Sequence, residues 1–380
     1  MKKIAIVSEF QINTVNYGNH LQAYALKKYL NDKFPSMHID SLQVVPFAKK
    51  KQTFLIYNIY CRFIDLYTYM NNYEKDSLEK CRVEKRYKRF HDFALNYIVD
   101  VNDIKPWSVL KKSNYDMYIV GSDIVWRQRR GYVDRIKFLN FVNSKNAKKI
   151  SYAASFGMDW IPKENKKVIK KYLDDFSAIS VREKSSIQML DDMGVQNVVN
   201  TCDPTLLLNR SDWIQLESAL DIKEKYVFAY LLGDNEQQKK CIQELCKKEN
   251  LILVTIPYSS GGYSAGTEDF ADVQVLDCSP QEWIWLIHHA EYIITDSFHG
   301  IVFSTIFEKK FVAVNRIFDL DWNNRIVDYL RQIDQSDKLC ELSDISHLSD
   351  MNWDYSIINA RVKELIVFSK DFLWKEVNSI

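Results

Sequence analysis

The chain has 380 residues, too many for one ordinary core, and Lys plus Arg (51) almost balances Asp plus Glu (50). Two domains of about 150–200 residues are expected, and no global field argues for nucleic acid as a partner. Seven cysteines without any Cys-x-x-Cys spacing speak against a disulfide framework and against a zinc site. The opening Met1-Lys-Lys-Ile-Ala-Ile-Val7 turns polar too soon for a signal peptide, and no run of about 18 apolar residues follows. A cytoplasmic α/β protein that spans no membrane is the expectation.

Residues 3–8 read as a buried strand, followed by a loop over 10–19 whose one glycine is Gly18. A helix is expected over about 20–34, with Leu21, Tyr24, Ala25, Leu30 and Phe34 on one face, and then a strand over 39–45. This is a βαβ opening without the G-x-G-x-x-G fingerprint, which gives dinucleotide binding little support. Residues 49–112 break the alternation with a tyrosine-rich insertion of helical propensity. It holds 14 Lys or Arg against eight Asp or Glu, a local excess of +6. Two readings stay open for it: a solvated helical insertion, or a basic, aromatic surface for an anionic, lipid-borne acceptor at the inner membrane face.

Alternation returns with a strand over 115–123 that ends in Gly121, Ser122 and Asp123. Strands over 149–153, closing in Ser155 and Gly157, and over 178–181, closing in Arg182, come next. After a helix to about Gly194, a strand over 198–201 leads into Cys202-Asp-Pro-Thr205. Four successive strands thus end in polar residues, the pattern of a sheet whose site lies along its carboxyl edge. A second series has strands over 226–232, 251–256, 273–276, around Tyr292 and over 311–314, with helices over 236–249 and 280–289. Cys241 and Cys246, five apart, suit helix packing better than a metal. The glycine-rich 257–267 lacks a lysine at P-loop spacing and reads as a surface loop. The expected division is 1–215 and 216–350, with the tail 351–380 carrying a long amphipathic helix that crosses back to the first domain.

The most informative stretch is Glu291-Tyr-Ile-Ile-Thr-Asp-Ser-Phe-His-Gly300, after which helical spacing resumes at Ile301, Phe303 and Ile306. A buried strand, a polar turn and a helix start put His299 where free helix N–H groups meet a ligand, unless it merely caps the helix. His288 and His289 end a helix and read as partners of its dipole.

Six pieces in order carry a resemblance: Asn16-Tyr-Gly-Asn-His-Leu-Gln-Ala-Tyr-Ala25, Ile119-Val-Gly-Ser-Asp-Ile-Val-Trp126, Ser151-Tyr-Ala-Ala-Ser-Phe-Gly157, Ser180-Val-Arg-Glu-Lys-Ser185, Asp203-Pro-Thr-Leu-Leu207 and Thr295-Asp-Ser-Phe-His-Gly300. The chain resembles the polysaccharide pyruvyltransferase family over nearly its whole length. That resemblance implies two Rossmann-like domains in a GT-B-type arrangement with the site in the cleft between them. It implies transfer of the enolpyruvyl unit of phosphoenolpyruvate onto two hydroxyls of a lipid-linked or nucleotide-linked saccharide, giving a pyruvate ketal and phosphate. Two positions depart from the family pattern: Ser297 stands where part of the family has an arginine, and Ile124 where relatives often have glutamine.

Under the resemblance His299 moves protons and Asp296 orients its imidazole or caps the helix. Arg182 holds the donor's charges, its alternative being an ion pair with Glu183, Glu164 or another carboxylate. Ser297, Gly300, Ser155, Gly157, Ser122, Asp123, Asn16 and Gly18 supply hydroxyls, amides and close backbone approach. With no Asp-x-Asp motif in a plausible place, neither metal nor cofactor is called for. A GT-B glycosyltransferase gripping a nucleotide sugar through Arg316 or Lys310, and a non-catalytic binding member, are the rivals.

Overall fold

The computed structural model describes residues 1–12, 14–45, 78–100, 104–106, 114–142, 147–233, 235–257, 270–316, 323–341, 345 and 348–380. In chain order the strands are β1 (Lys3–Val7), β2 (His38–Ser41), β3 (Gln43–Val45), β4 (Ile104–Pro106), β5 (Met117–Asp123), β6 (Lys148–Ala154), β7 (Ile179–Val181) and β8 (Val198–Asn200). They continue with β9 (Tyr226–Tyr230), β10 (Ile252–Thr255), β11 (Val273–Gln274), β12 (Tyr292–Thr295), β13 (Lys310–Val314) and β14 (Leu339–Cys340). Among the helices, α1 (Tyr17–Lys33), α2 (Leu78–Tyr97), α3 (Lys163–Leu173), α4 (Ser185–Asp191) and α5 (Arg210–Leu216) come first. They are followed by α6 (Glu236–Glu249), α7 (Pro280–His289), α8 (Phe298–Ile306), α9 (Asn323–Gln332) and α10 (Tyr355–Val377).

Contacts divide the chain into two compact units. The first comprises 1–73, 90–207 and 365–380; the second comprises 74–89 and 208–364. The first unit holds a parallel sheet of order β2-β1-β5-β6-β7-β8, and the second holds one of order β11-β10-β9-β12-β13-β14. Each is the α/β, doubly wound architecture expected. Each unit has its own apolar core: Trp126 stacks on Phe138 at 5.3 Å beside Phe156 and Val181 in the first, and Ile242, Leu245, Ile294 and Val312 pack together in the second.

Several local expectations change. The helix expected from residue 20 begins at Tyr17, because Asn16 caps it with a side chain that accepts the Asn19 N–H at 3.0 Å. Gly18 therefore sits in the first helical turn rather than in a loop. The strand expected over 39–45 divides at Leu42: β2 continues the ladder of β1, while Gln43–Val45 leaves it to pair with β4. Of the insertion, 49–77, 101–103 and 107–112 lie outside the described residues, as does 258–269 of the glycine-rich loop and its flank. The described remainder is the helix α2 and the strand β4, so the insertion is not helical throughout. In the α2 half that belongs to the second unit, Lys85 pairs with Asp277 at 2.5 Å and Arg86 donates to the Pro257 carbonyl at 3.4 Å. Arg89 is bound to Glu282 and donates to the Asp277 carbonyl at 3.0 Å. Those three charges are engaged within the fold.

No helix among the described residues is long and apolar enough to cross a membrane.

Candidate active site

In a doubly wound sheet the loops part where the strand order reverses, leaving a crevice at the carboxyl edge. In the second unit that point lies between β9 and β12, whose register pairs Thr295 with Tyr230. Residues 295–300 occupy it. The Thr295 hydroxyl donates to the Tyr230 carbonyl at 2.6 Å and accepts the Ser297 N–H at 3.0 Å, which locks the turn to the sheet. Ser297 is the N-cap of α8, its hydroxyl accepting the Gly300 N–H at 3.3 Å. His299 thus stands in the first turn of α8, 6 % exposed, its ring 5.1 Å edge-on from that of Phe298.

Two roles assigned from sequence need correction here. Asp296 neither caps the helix nor hydrogen-bonds the imidazole. Its carboxylate accepts the Leu232 and Gly233 N–H groups at 2.6 and 2.7 Å, and the Arg316 Nε–H at 3.2 Å. A second Arg316 nitrogen donates to the Asp296 carbonyl at 3.2 Å. Asp296 therefore ties the loop after β9 to the end of β12 and seats a guanidinium beside His299's turn. Gly300 has a packing reason as well: a Cβ there would lie 2.7 Å from the Thr295 hydroxyl, so only glycine lets α8 start this close to β12.

The first unit repeats the arrangement, with its order reversing between β1 and β5. Asn16 opens α1 after β1, and Ser122 and Asp123 end β5. Asn19 donates to the Asp123 carboxylate at 2.5 Å, and Arg182 donates to Asp123 at 3.4 Å, to Asp203 at 2.9 Å and to Glu183 at 2.9 Å. The Ser122 hydroxyl donates to the Ala153 carbonyl at 3.0 Å. Asp123 and Ala153 both adopt positive φ, 53° and 48°, a strain that local bonding must hold. Ser155 accepts the Gly157 N–H at 3.0 Å, and Gly157, at φ 67°, leaves room for Ile124. Strand-end residues 16, 18, 122, 123, 155, 157 and 182 thus share one edge of the first unit, and 296, 297, 299 and 300 share the corresponding edge of the second.

Arg182 is 3 % exposed and ringed by three carboxylates. Burial alone would weaken its charge, but Glu183, Asp123 and Asp203 outweigh that and raise its pKa. The pairing with Glu183 and other carboxylates, the alternative that the sequence left open, is the observed one. Sequence reading missed Asp203 as a partner of Arg182, since 21 residues separate the two. It also named Arg316 only as a stand-in, although the apolar run ending at Val314 was a signal that Arg316 follows a strand end.

The description polysaccharide pyruvyl transferase belongs to the family model that matches residues 16–316 of this chain. No curated protein matches it. Among solved structures, the UDP-N-acetylglucosamine 2-epimerase of Rickettsia bellii is similar at a TM-score of 0.50 and 11 % identity, with 100 % of this chain and 96 % of that one covered. The UDP-GlcNAc 2-epimerase of Methanocaldococcus jannaschii is similar at 0.50 and 10 %, with 97 % and 99 % covered. At such identities the likeness is one of fold: two Rossmann-like units of GT-B type.

Proposed function

Because the chain belongs to the polysaccharide pyruvyl transferase family, we propose that it moves the enolpyruvyl unit of phosphoenolpyruvate onto two hydroxyls of a sugar in a cell-surface polysaccharide precursor. The observation that carries this reading is the switch point of the second unit, where His299 opens α8 and Arg316 is seated on Asp296. Phosphoenolpyruvate brings a carboxylate and a phosphate, which call for a guanidinium and free helix N–H groups. Arg316, seated on Asp296 beside the start of α8, is the candidate for that guanidinium, while Arg182 is paired with three buried carboxylates in the first unit.

In the proposed reaction a proton reaches C3 of the enol, turning CH2 into CH3 and leaving oxocarbenium character at C2. One sugar hydroxyl attacks C2 and gives up its proton; the second displaces the phosphate, which leaves with the other proton. His299 is the proton-transfer group, a task suited to an imidazole. Neither metal nor cofactor enters the proposal, and the acceptor is a lipid-linked or nucleotide-linked saccharide at the cytoplasmic membrane face.

The test is incubation with phosphoenolpyruvate and such acceptors, reading phosphate release and ketal formation. Phosphoenolpyruvate should also raise the melting temperature by mass action, and Arg316→Ala should abolish that shift. Turnover that follows a nucleotide sugar instead would identify a glycosyltransferase. No turnover, with no shift from phosphoenolpyruvate, would identify a non-catalytic member.

A further inference from the structure

Outside the candidate active site, the second unit gathers two imidazoles and a carboxylate. Glu217 follows the last turn of α5, and His288 and His289 close α7. Glu217 Oε2 lies 2.9 Å from His288 Nδ1 and Glu217 Oε1 lies 3.4 Å from His289 Nε2, and one ligand atom from each of the three residues lies within 4.8 Å of the others. We propose that Glu217, His288 and His289 form a binding site for a borderline divalent transition-metal ion of the zinc, cobalt or nickel class, clamping α5 to α7.

The donor spacing carries the inference. Metal–nitrogen and metal–oxygen bonds of about 2.1 Å put neighbouring ligands about 3.0–3.4 Å apart in octahedral or tetrahedral geometry. Both Glu–His separations, one to each carboxylate oxygen, fall in or next to that range, so small side-chain adjustments draw the donors around one ion. The rings are held in advance: His288 stacks on Phe307 with centroids 4.7 Å apart, and His289 stacks on Trp285 at 4.6 Å. The His288 carbonyl accepts from Lys309 Nζ at 2.8 Å, which fixes the end of α7. Charged groups around the site are Glu217, Arg210 and Lys309.

Two nitrogens and one carboxylate select against magnesium and calcium, which prefer all-oxygen shells. The His289 side chain is 42 % exposed while those of Glu217 and His288 are 16 % and 17 % exposed. Solvent can complete the coordination from the His289 side. The proposal does not depend on the pyruvyl-transfer reading, and its test reads binding, not turnover.

The untagged full-length protein, stripped by chelator, is titrated with Co2+ while visible d–d absorption is followed. One Co2+ per chain, without the intense thiolate charge-transfer band, is expected, together with a rise in melting temperature on adding Zn2+ but not Mg2+. His289→Ala removes the most exposed ligand and should abolish both signals while far-ultraviolet circular dichroism stays native. Glu217→Gln, which keeps the side chain's size, should do the same. No stoichiometric Co2+ binding by the parent protein overturns the site, as does binding that persists unchanged in His289→Ala and Glu217→Gln.

Discussion

His299 and Arg182 look alike in the sequence, each a polar residue at a strand end, yet their surroundings separate them. A positioned acid–base group contributes about 10²–10⁴-fold to rate. His299→Ala should therefore lower ketal formation by that factor while phosphoenolpyruvate still shifts the melting temperature. A mutant as fast as the parent would remove the proposed role. Arg182→Met should instead destabilise the fold by about 3–5 kcal/mol, because Asp123, Glu183 and Asp203 would stay buried without their cation. Denaturant unfolding reads this directly, and a change below about 0.5 kcal/mol, the usual range for surface positions, would show that the cluster is not structural. The third residue is one the sequence did not flag. His20 is fully buried among Phe10, Phe90 and Phe93, with Nδ1 2.9 Å from the Asn16 carbonyl. Burial lowers its pKa to about 3, against 6.5 in an exposed chain. Above 6.5 neither state binds the proton; as pH falls from there toward 3, the unfolded chain takes it first and stability drops. Between pH 7 and pH 5 the linked loss is about 2 kcal/mol. His20→Phe should show a correspondingly flatter dependence of unfolding free energy on pH, and parallel curves would refute the assignment.

At the level of elements, the continuous apolar runs of β1, β5, β9, β12 and β13 were legible because strands of a parallel sheet are buried on both faces. The start of α1 was not, since the spacing of its apolar residues begins at Leu21 while the Asn16 side chain opens the helix at Tyr17. Nor was the division at Leu42, because Gln43–Val45 continues the same apolar pattern and only its partner, β4, differs. Among glycines, Gly121 has a role that no turn rule reveals. It lies in β5 facing the β6 backbone, where an added Cβ would press into the Tyr152 carbonyl. Backbone cannot move aside as a flexible side chain does, so Gly121→Ala should cost at least the 1–3 kcal/mol typical of overpacking. Thermal unfolding checks it; an unchanged midpoint would mean that the two central strands slide apart freely.

For the molecule as a whole, the two-fold repeat of the α/β pattern and the ordered motifs were enough to recognise the family and the fold. Of the ion cluster only the neighbouring Glu183 was readable, because Asp123 and Asp203 reach Arg182 from 59 and 21 residues away. The helix α10 has residues in both units, the division falling between Glu364 and Leu365. Tyr355 donates to the Lys309 carbonyl at 2.5 Å and Arg361 pairs with Asp334 at 2.6 Å, both within the second unit. Further along, the Ser369 hydroxyl accepts the Cys202 N–H at 2.8 Å and Glu376 pairs with Lys148 at 2.6 Å, both within the first. Ending the chain after Glu364 should leave the first unit with an exposed Tyr152–Cys202 surface and an insoluble or partly folded product, seen as lost near-ultraviolet circular dichroism. A native spectrum would show that 365–380 is dispensable.

This placement of 365–380 also sets an order of events during synthesis. A ribosome makes the β1–β8 region early, yet the segment 365–380 that packs with it follows the whole second unit in the chain. The contacts that 365–380 makes with the earlier-made half, to Cys202 and Lys148, can therefore form only after residues 208–364 have been synthesised.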